Sequence, residues 1–220
     1  MAPLFTPTMP RSGKPMSVRM TNCGPLGWVT DKEGGYRYQT THPVTGKPWP
    51  PMPQMLHDLW RELADYRFPP EACLVNYYAG EAKMGLHQDK DEEDFAVPVL
   101  SVSLGDTGIF RLGGTSRKDP TEKLELKSGD VVLLGGVDRL AYHGIDRIIP
   151  GTSGLIAEGG RFNLTLRRVT NQSEFDLNSE ISRRAENRRW QAAAVRSHRH
   201  PLAAACSAWP RLWQPPQAQA

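Results

Sequence analysis

From Cys73 to Val169 the chain is written in short apolar runs, "CLVNYY", "VPVLSVSLG", "GIFRLGG", "EKLELKSGDVVLLGG" and "RFNLTLRRV", separated by Gly, Asp and Pro. Runs of this length, rich in Val, Leu and aromatic residues and bounded by turn formers, specify strands. Many short strands without long helices between them predict an antiparallel β sandwich or barrel. There is no 20 to 50 residue repeat, which argues against a propeller or solenoid. One amphipathic helix precedes the strands: in "PQMLHDLWRELADYR", residues 53–67, Leu56, Leu59, Trp60, Leu63 and Ala64 fall at helical spacing, and Pro53 suits a first turn.

With 220 residues, 39% of them hydrophobic and 23% charged, the chain can bury one sizeable core. No apolar run approaches the roughly 18 residues that span a bilayer, and the N-terminus has no signal-like apolar segment. Cys23, Cys73 and Cys206 are odd in number and far apart, which argues against a disulfide framework or a cysteine zinc site. A cytoplasmic protein with reduced thiols is expected. The net charge of +3 is unevenly spread, because residues 1–169 carry 20 basic and 20 acidic side chains and residues 170–220 carry 7 and 4. Net charge therefore says nothing of partners for the main domain. The expected organisation is one domain over 1–169 and a basic, disordered tail over 170–220.

Within "GLHQDKD" an extended backbone puts His87 and Asp89 on one face and turns Gln88 away, so two metal-ligating side chains converge. A third ligand is needed. Of the other histidines, His143 in "LAYHGI" follows a strand in an apolar setting, His42 and His57 lie outside the β region, and His198 and His200 lie in the tail. Two histidines and a carboxylate with open positions on one face typify non-haem Fe(II) oxygenases. Zinc is the rival metal, but the H-E-x-x-H helix common in zinc hydrolases is missing. The "DKDEED" run also lacks the glycine and the final glutamate of an EF-hand loop.

In "RFNLTLRR", residues 161–168, Phe162, Leu164 and Leu166 alternate with Arg161, Asn163, Thr165 and Arg167. One face is core and the other cationic. Two buried arginines with no carboxylate between them repel, so a buried anion is their natural companion, and a guanidinium fork suits a dicarboxylate. Asn76 and Tyr78 of "LVNYY" share a face and offer hydrogen bonds to the same acid.

Taken together, "MSVRMTNCGPLGW", "KPWPPMPQ", "CLVNYYAGEAKMGLHQDKDE", "VSVSLGDTGIFRLGG", "GDVVLLGG" with "YHGI", and "RFNLTLR" resemble the AlkB family of Fe(II)/2-oxoglutarate-dependent dioxygenases. The resemblance covers roughly residues 16–168. It implies a mainly β (α+β) fold, a double-stranded β-helix or jelly roll with a supporting amphipathic helix and a nucleotide lid. It further implies that His87, Asp89 and His143 hold Fe(II), while Asn76, Tyr78, Arg161, Asn163 and Arg167 hold 2-oxoglutarate. Trp28 with Tyr36 or Tyr38 would surround the alkylated base, with Asp91 and Arg117 also contacting substrate. The implied reaction, with O2, is oxidative dealkylation of N-alkylated bases of the 1-methyladenine and 3-methylcytosine type in DNA or RNA, releasing succinate, CO2 and formaldehyde. No membrane or obligate protein partner is implied, and a monomer is expected.

The chain departs from the family's pattern in places. "AGEA" has Gly80 one place early and Glu81 where glycine is usual, which predicts an altered turn. "DKEGGYRY" is one residue longer, which leaves the lid residue open between Tyr36 and Tyr38. The chain starts where relatives already have a strand and helix, so an uncovered sheet edge is expected.

Overall fold

The computed structural model describes residues 2–171, and the strands fall largely where the apolar runs place them. In chain order they are β1 (Arg19–Cys23), β2 (Gly27–Asp31), β3 (Gly35–Gln39), β4 (Ala72–Tyr78), β5 (Met84–His87), β6 (Val99–Gly105), β7 (Thr107–Leu112), β8 (Glu122–Leu126), β9 (Val131–Leu134), β10 (His143–Ile149) and β11 (Arg161–Arg167). A five-stranded sheet runs β1-β4-β11-β6-β9 and a four-stranded sheet β5-β10-β7-β8, while β2 and β3 form a separate hairpin. Pairing within these sheets is antiparallel, and the two larger ones make a double-stranded β-helix. The expectation of a mainly β jelly roll holds.

The alternation along β11 explains how one strand serves two surroundings. Phe162, Leu164 and Leu166 face outward onto Leu56, Leu59 and Trp60 of helix α1 (Gln54–Leu63). Burying side chains of that size contributes about 1.5–3 kcal/mol each. Arg161, Asn163, Thr165 and Arg167 occupy the opposite face, between the sheets. Beside them Val99, Phe110, Val132, Leu134 and Ile145 form the apolar part of the interior.

Helix α1 is shorter than the expected 53–67. It closes at Ala64, because Asp65 takes a left-handed φ of 46°, and the indole Nε1 of Trp60 then donates to the Phe68 carbonyl at 2.9 Å. The turn after β4 accommodates the displaced glycine: Gly80 has a φ of 56°, a conformation that suits a residue without Cβ.

The edge of the large sheet is not bare. Phe5 and Met20 exchange both backbone hydrogen bonds, at 2.8 and 2.9 Å, so the N-terminal segment pairs with β1 where an open edge is expected from the sequence. At the other end Glu71 accepts from the backbone N–H groups of Val169 and Thr170, both at 2.8 Å. The expected tail lies, from residue 172 onward, outside the described residues. No helix among the described residues is long and apolar enough to cross a membrane.

Candidate metal and co-substrate centre

His87 ends β5 and His143 begins β10, and the two are direct partners across that strand pair. Their ring centroids lie 4.5 Å apart. Asp89 is beyond the end of β5, so strand pairing does not hold it; instead Nη1 of Arg139 donates to its carbonyl oxygen at 2.6 Å. Its carboxylate stands 3.7 Å from Nε2 of His87 and 3.8 Å from Nε2 of His143. Ligand atoms of the three residues all lie within 4.8 Å of one another, a spacing at which one ion can be shared.

Both imidazoles are oriented from behind. Nδ1 of His87 lies 2.9 Å from the Gly85 carbonyl, and Nδ1 of His143 lies 2.9 Å from the Ala141 carbonyl. A carbonyl only accepts, so each Nδ1 carries the proton and each Nε2 presents its lone pair to the centre. Desolvation pushes the His143 pKa down to about 4, outweighing the pull of Asp89, so its ring is neutral at physiological pH. Burial alone would raise the Asp89 carboxyl, but the Arg167 guanidinium holds it well below the usual carboxylate range. The result is a donor set of two imidazoles and one carboxylate, suited to a divalent cation.

A cavity of 670 Å³ opens from this centre, and Asn76, Tyr78, Arg161, Asn163 and Arg167 line its inner part. Arg161 is fully buried, and only Nη2 is bonded, to Ser103 Oγ at 2.9 Å. Its Nε and Nη1, together with Oδ1 of Asn76, are buried without hydrogen-bond partners among the described residues. An unpaired guanidinium edge facing a cavity is costly unless an anion fills it. That orphaned edge is what a carboxylate co-substrate requires, so the residues present fit the group. Desolvation lowers the Arg161 pKa to about 10 and raises the Tyr78 phenol to about 12, so the first is charged and the second a donor at neutral pH. Gly108 leaves room for this arginine, because a Cβ there would lie 2.8 Å from its Nε.

Arg167 differs from the expectation of arginines without carboxylates. Its Nη2 lies 2.8 Å from Asp89 Oδ1 and its Nε 3.5 Å from Glu92 Oε1. Burial would lower its pKa, but Asp89, Tyr38 and Glu92 raise it well above the ordinary value.

The β2–β3 hairpin covers the mouth. Trp28 stacks on Tyr36, centroids 5.6 Å apart and planes 21° from parallel, and its Nε1 donates to Asp91 Oδ2 at 2.7 Å. Arg117 stands on the opposite rim, its Nη1 donating to the Leu86 carbonyl at 3.2 Å. Trp28, Tyr36, Asp91 and Arg117 all line the cavity, whereas Tyr38 does not. Its hydroxyl turns to Glu92 and Arg167, which separates the two tyrosines that the sequence leaves open. Sequence reasoning missed Glu92 and Arg139. Arg139 is buried and donates to Val97 O at 2.7 Å, to Asp89 O and to Glu92 Oε2 at 2.9 Å. Two of its three partners are main-chain carbonyls, which leave no trace in sequence. His42, set aside in the sequence, is structural: its Nδ1 accepts from the N–H groups of Val44 and Thr45.

Comparison with known proteins agrees with this geometry. The model of the 2OG-Fe(II) oxygenase superfamily matches residues 2–167. The alpha-ketoglutarate-dependent dioxygenase AlkB homolog of Caulobacter vibrioides (strain NA1000 / CB15N) is 62% identical over 157 residues, 71% of each chain. The alpha-ketoglutarate-dependent dioxygenase AlkB of Escherichia coli (strain K12) is 50% identical over 161 residues, 71% of this chain and 74% of that one. The solved structure of OsALKBH1 superposes with a TM-score of 0.62 and 34% identity, covering 75% of this chain and 83% of the other. The chain belongs to the 2OG-Fe(II) oxygenase superfamily and, within it, to the AlkB family. It is an Fe(II)- and 2-oxoglutarate-dependent dioxygenase.

Proposed function

We propose that this enzyme removes small alkyl groups from N-alkylated bases of DNA or RNA. The observation that carries the reading is the aromatic pair Trp28–Tyr36, held by Asp91 at the mouth of the His87–Asp89–His143 cavity. Adenine methylated at N1 and cytosine methylated at N3 are cationic, and aromatic faces beside a carboxylate attract such a ring while excluding water.

In this reading His87, Asp89 and His143 hold the iron through the two Nε2 atoms and one carboxylate oxygen. Arg161 would hold a carboxylate of 2-oxoglutarate on its free edge, with Asn76, Tyr78, Asn163 and Arg167 lining the same cavity. Trp28 and Tyr36 orient the base, and Arg117 meets the backbone or base from the opposite rim. The chemistry supplied by bound iron with 2-oxoglutarate and O2 is oxidation of the N-alkyl carbon, with succinate, CO2 and, from a methyl group, formaldehyde as products. The protein groups orient and shield; none is needed as a nucleophile. Action as a monomer is part of the reading. A cytoplasmic location is also part of it.

The test is incubation of the iron-loaded protein with a 1-methyladenine oligonucleotide, 2-oxoglutarate and O2. Formaldehyde in proportion to succinate supports the proposal. Succinate without formaldehyde, across oligonucleotides carrying either lesion, would overturn it and direct attention to a protein or small-molecule substrate.

A further inference from the structure

Tyr38 belongs to the lid hairpin but does not line the cavity, and its hydroxyl reaches a group of four buried charges. Its hydroxyl donates to Glu92 Oε1 and accepts from Nη1 of Arg167 at 3.2 Å. Arg167 in turn reaches Asp89 Oδ1 through Nη2 at 2.8 Å. Arg139 braces the opposite side, bonding Glu92 Oε2 at 2.9 Å and the Asp89 carbonyl at 2.6 Å. Two carboxylates and two guanidiniums balance in charge, and the phenol is the neutral member that connects them to the hairpin.

We infer that Tyr38 is a positioning residue whose hydroxyl ties the β2–β3 hairpin to Arg167 and so sets the aim of the guanidinium shared by Asp89 and the 2-oxo acid. The argument is geometric. Nη1 and Nη2 of Arg167 are held by Tyr38 and Asp89, whereas Nε, 3.5 Å from Glu92, has no hydrogen-bond partner among the described residues. Any carboxylate that also uses this fork approaches from the direction the other partners leave open. Arg139 holds Glu92 in place, so the partner able to swing is the tyrosine, carried on a hairpin. Lid position and co-substrate geometry thus share one hydrogen-bonded element, and coupling between two such sites acts in both directions. This inference rests on the iron and 2-oxoglutarate chemistry of the family, not on a nucleic-acid substrate.

The experiment compares the wild-type full chain with Tyr38→Phe, anaerobically loaded with Fe(II) and titrated with 2-oxoglutarate. The readout is the visible charge-transfer absorption of the iron–2-oxo acid pair. Loss of the hydroxyl is expected to weaken 2-oxoglutarate binding about tenfold, roughly 1.4 kcal/mol, and to shift the band, because the acid is held at a changed angle. Amide exchange of residues 27–39 is measured alongside. Faster exchange in the hairpin with band and affinity unchanged would show that Tyr38 merely fastens the lid, and would overturn the inference. If Tyr38→Phe does not fold, Tyr38→Trp, whose indole N–H can donate to Glu92 but cannot accept from Arg167, carries the same test. A shifted band with weakened binding supports the inference, and an unchanged band overturns it.

Discussion

His87 and His143 face each other as register partners across the β5–β10 pair, ring centroids 4.5 Å apart, with the Asp89 carboxylate beneath both. Removing either kind of ligand is expected to end turnover, but with different effects on the fold. His143→Ala should cost the metal-free protein less, since it leaves no buried charge unpaired. Asp89→Ala takes away the nearest carboxylate of buried Arg167, and breaking such a pair costs about 3–5 kcal/mol. The lower end applies, because Glu92 remains. Urea denaturation of the two metal-free variants measures the difference.

Arg161→Met separates binding from folding. The arginine meets protein through one hydrogen bond and is otherwise buried unpaired. The apparent KM for 2-oxoglutarate should rise about tenfold to a hundredfold, matching a charge-assisted contact of about 1.5–3 kcal/mol. The melting temperature of the protein without 2-oxoglutarate should stay the same or rise, because a desolvated charge is gone. Steady-state kinetics and thermal melting, run on the same preparations, check both parts.

A third expectation concerns acid. The His143 pKa falls from 6.5 to about 4 on folding, mainly by desolvation. Protonation therefore favours the unfolded chain. Stability from this group is complete above pH 6.5 and is lost as pH falls from there toward 4, by up to about 3 kcal/mol. Denaturant midpoints of the metal-free protein at successive pH values should show this slope, and His143→Phe should flatten it.

Trp28 makes two separable contributions, the stack on Tyr36 and the hydrogen bond to Asp91. Trp28→Phe keeps an aromatic face and should lower kcat/KM on a methylated oligonucleotide severalfold. Trp28→Ala loses both and should also raise the ratio of succinate to formaldehyde, since the base is no longer held over the reacting centre. Simultaneous assay of the two products reads the ratio directly.

Features governed by periodicity were legible before any coordinates. The inward face of β11 follows from alternation in "RFNLTLR", and the outward face from the same alternation meeting the apolar stripe of α1. His87 and Asp89 follow from a two-residue spacing. What periodicity cannot supply is partners chosen across the chain. Tyr36 and Tyr38 are two apart and share a face, so spacing could not tell the one stacked on Trp28 from the one tied to Glu92. Arg139 was hidden for a different reason: it bonds main-chain carbonyls, which every sequence has. β1 also escaped, because its buried residues include the polar Thr21 and Asn22, so "RMTNC" shows no alternation of apolar and polar side chains.

The carbonyls of Gly85 and Ala141 fix which nitrogen of each imidazole is bare. Neither ring has to turn over when an ion arrives, so the orientation of the receptor is set by folding alone. An enzyme built this way can lose its iron and regain it as a simple encounter, without rebuilding the pocket that receives it.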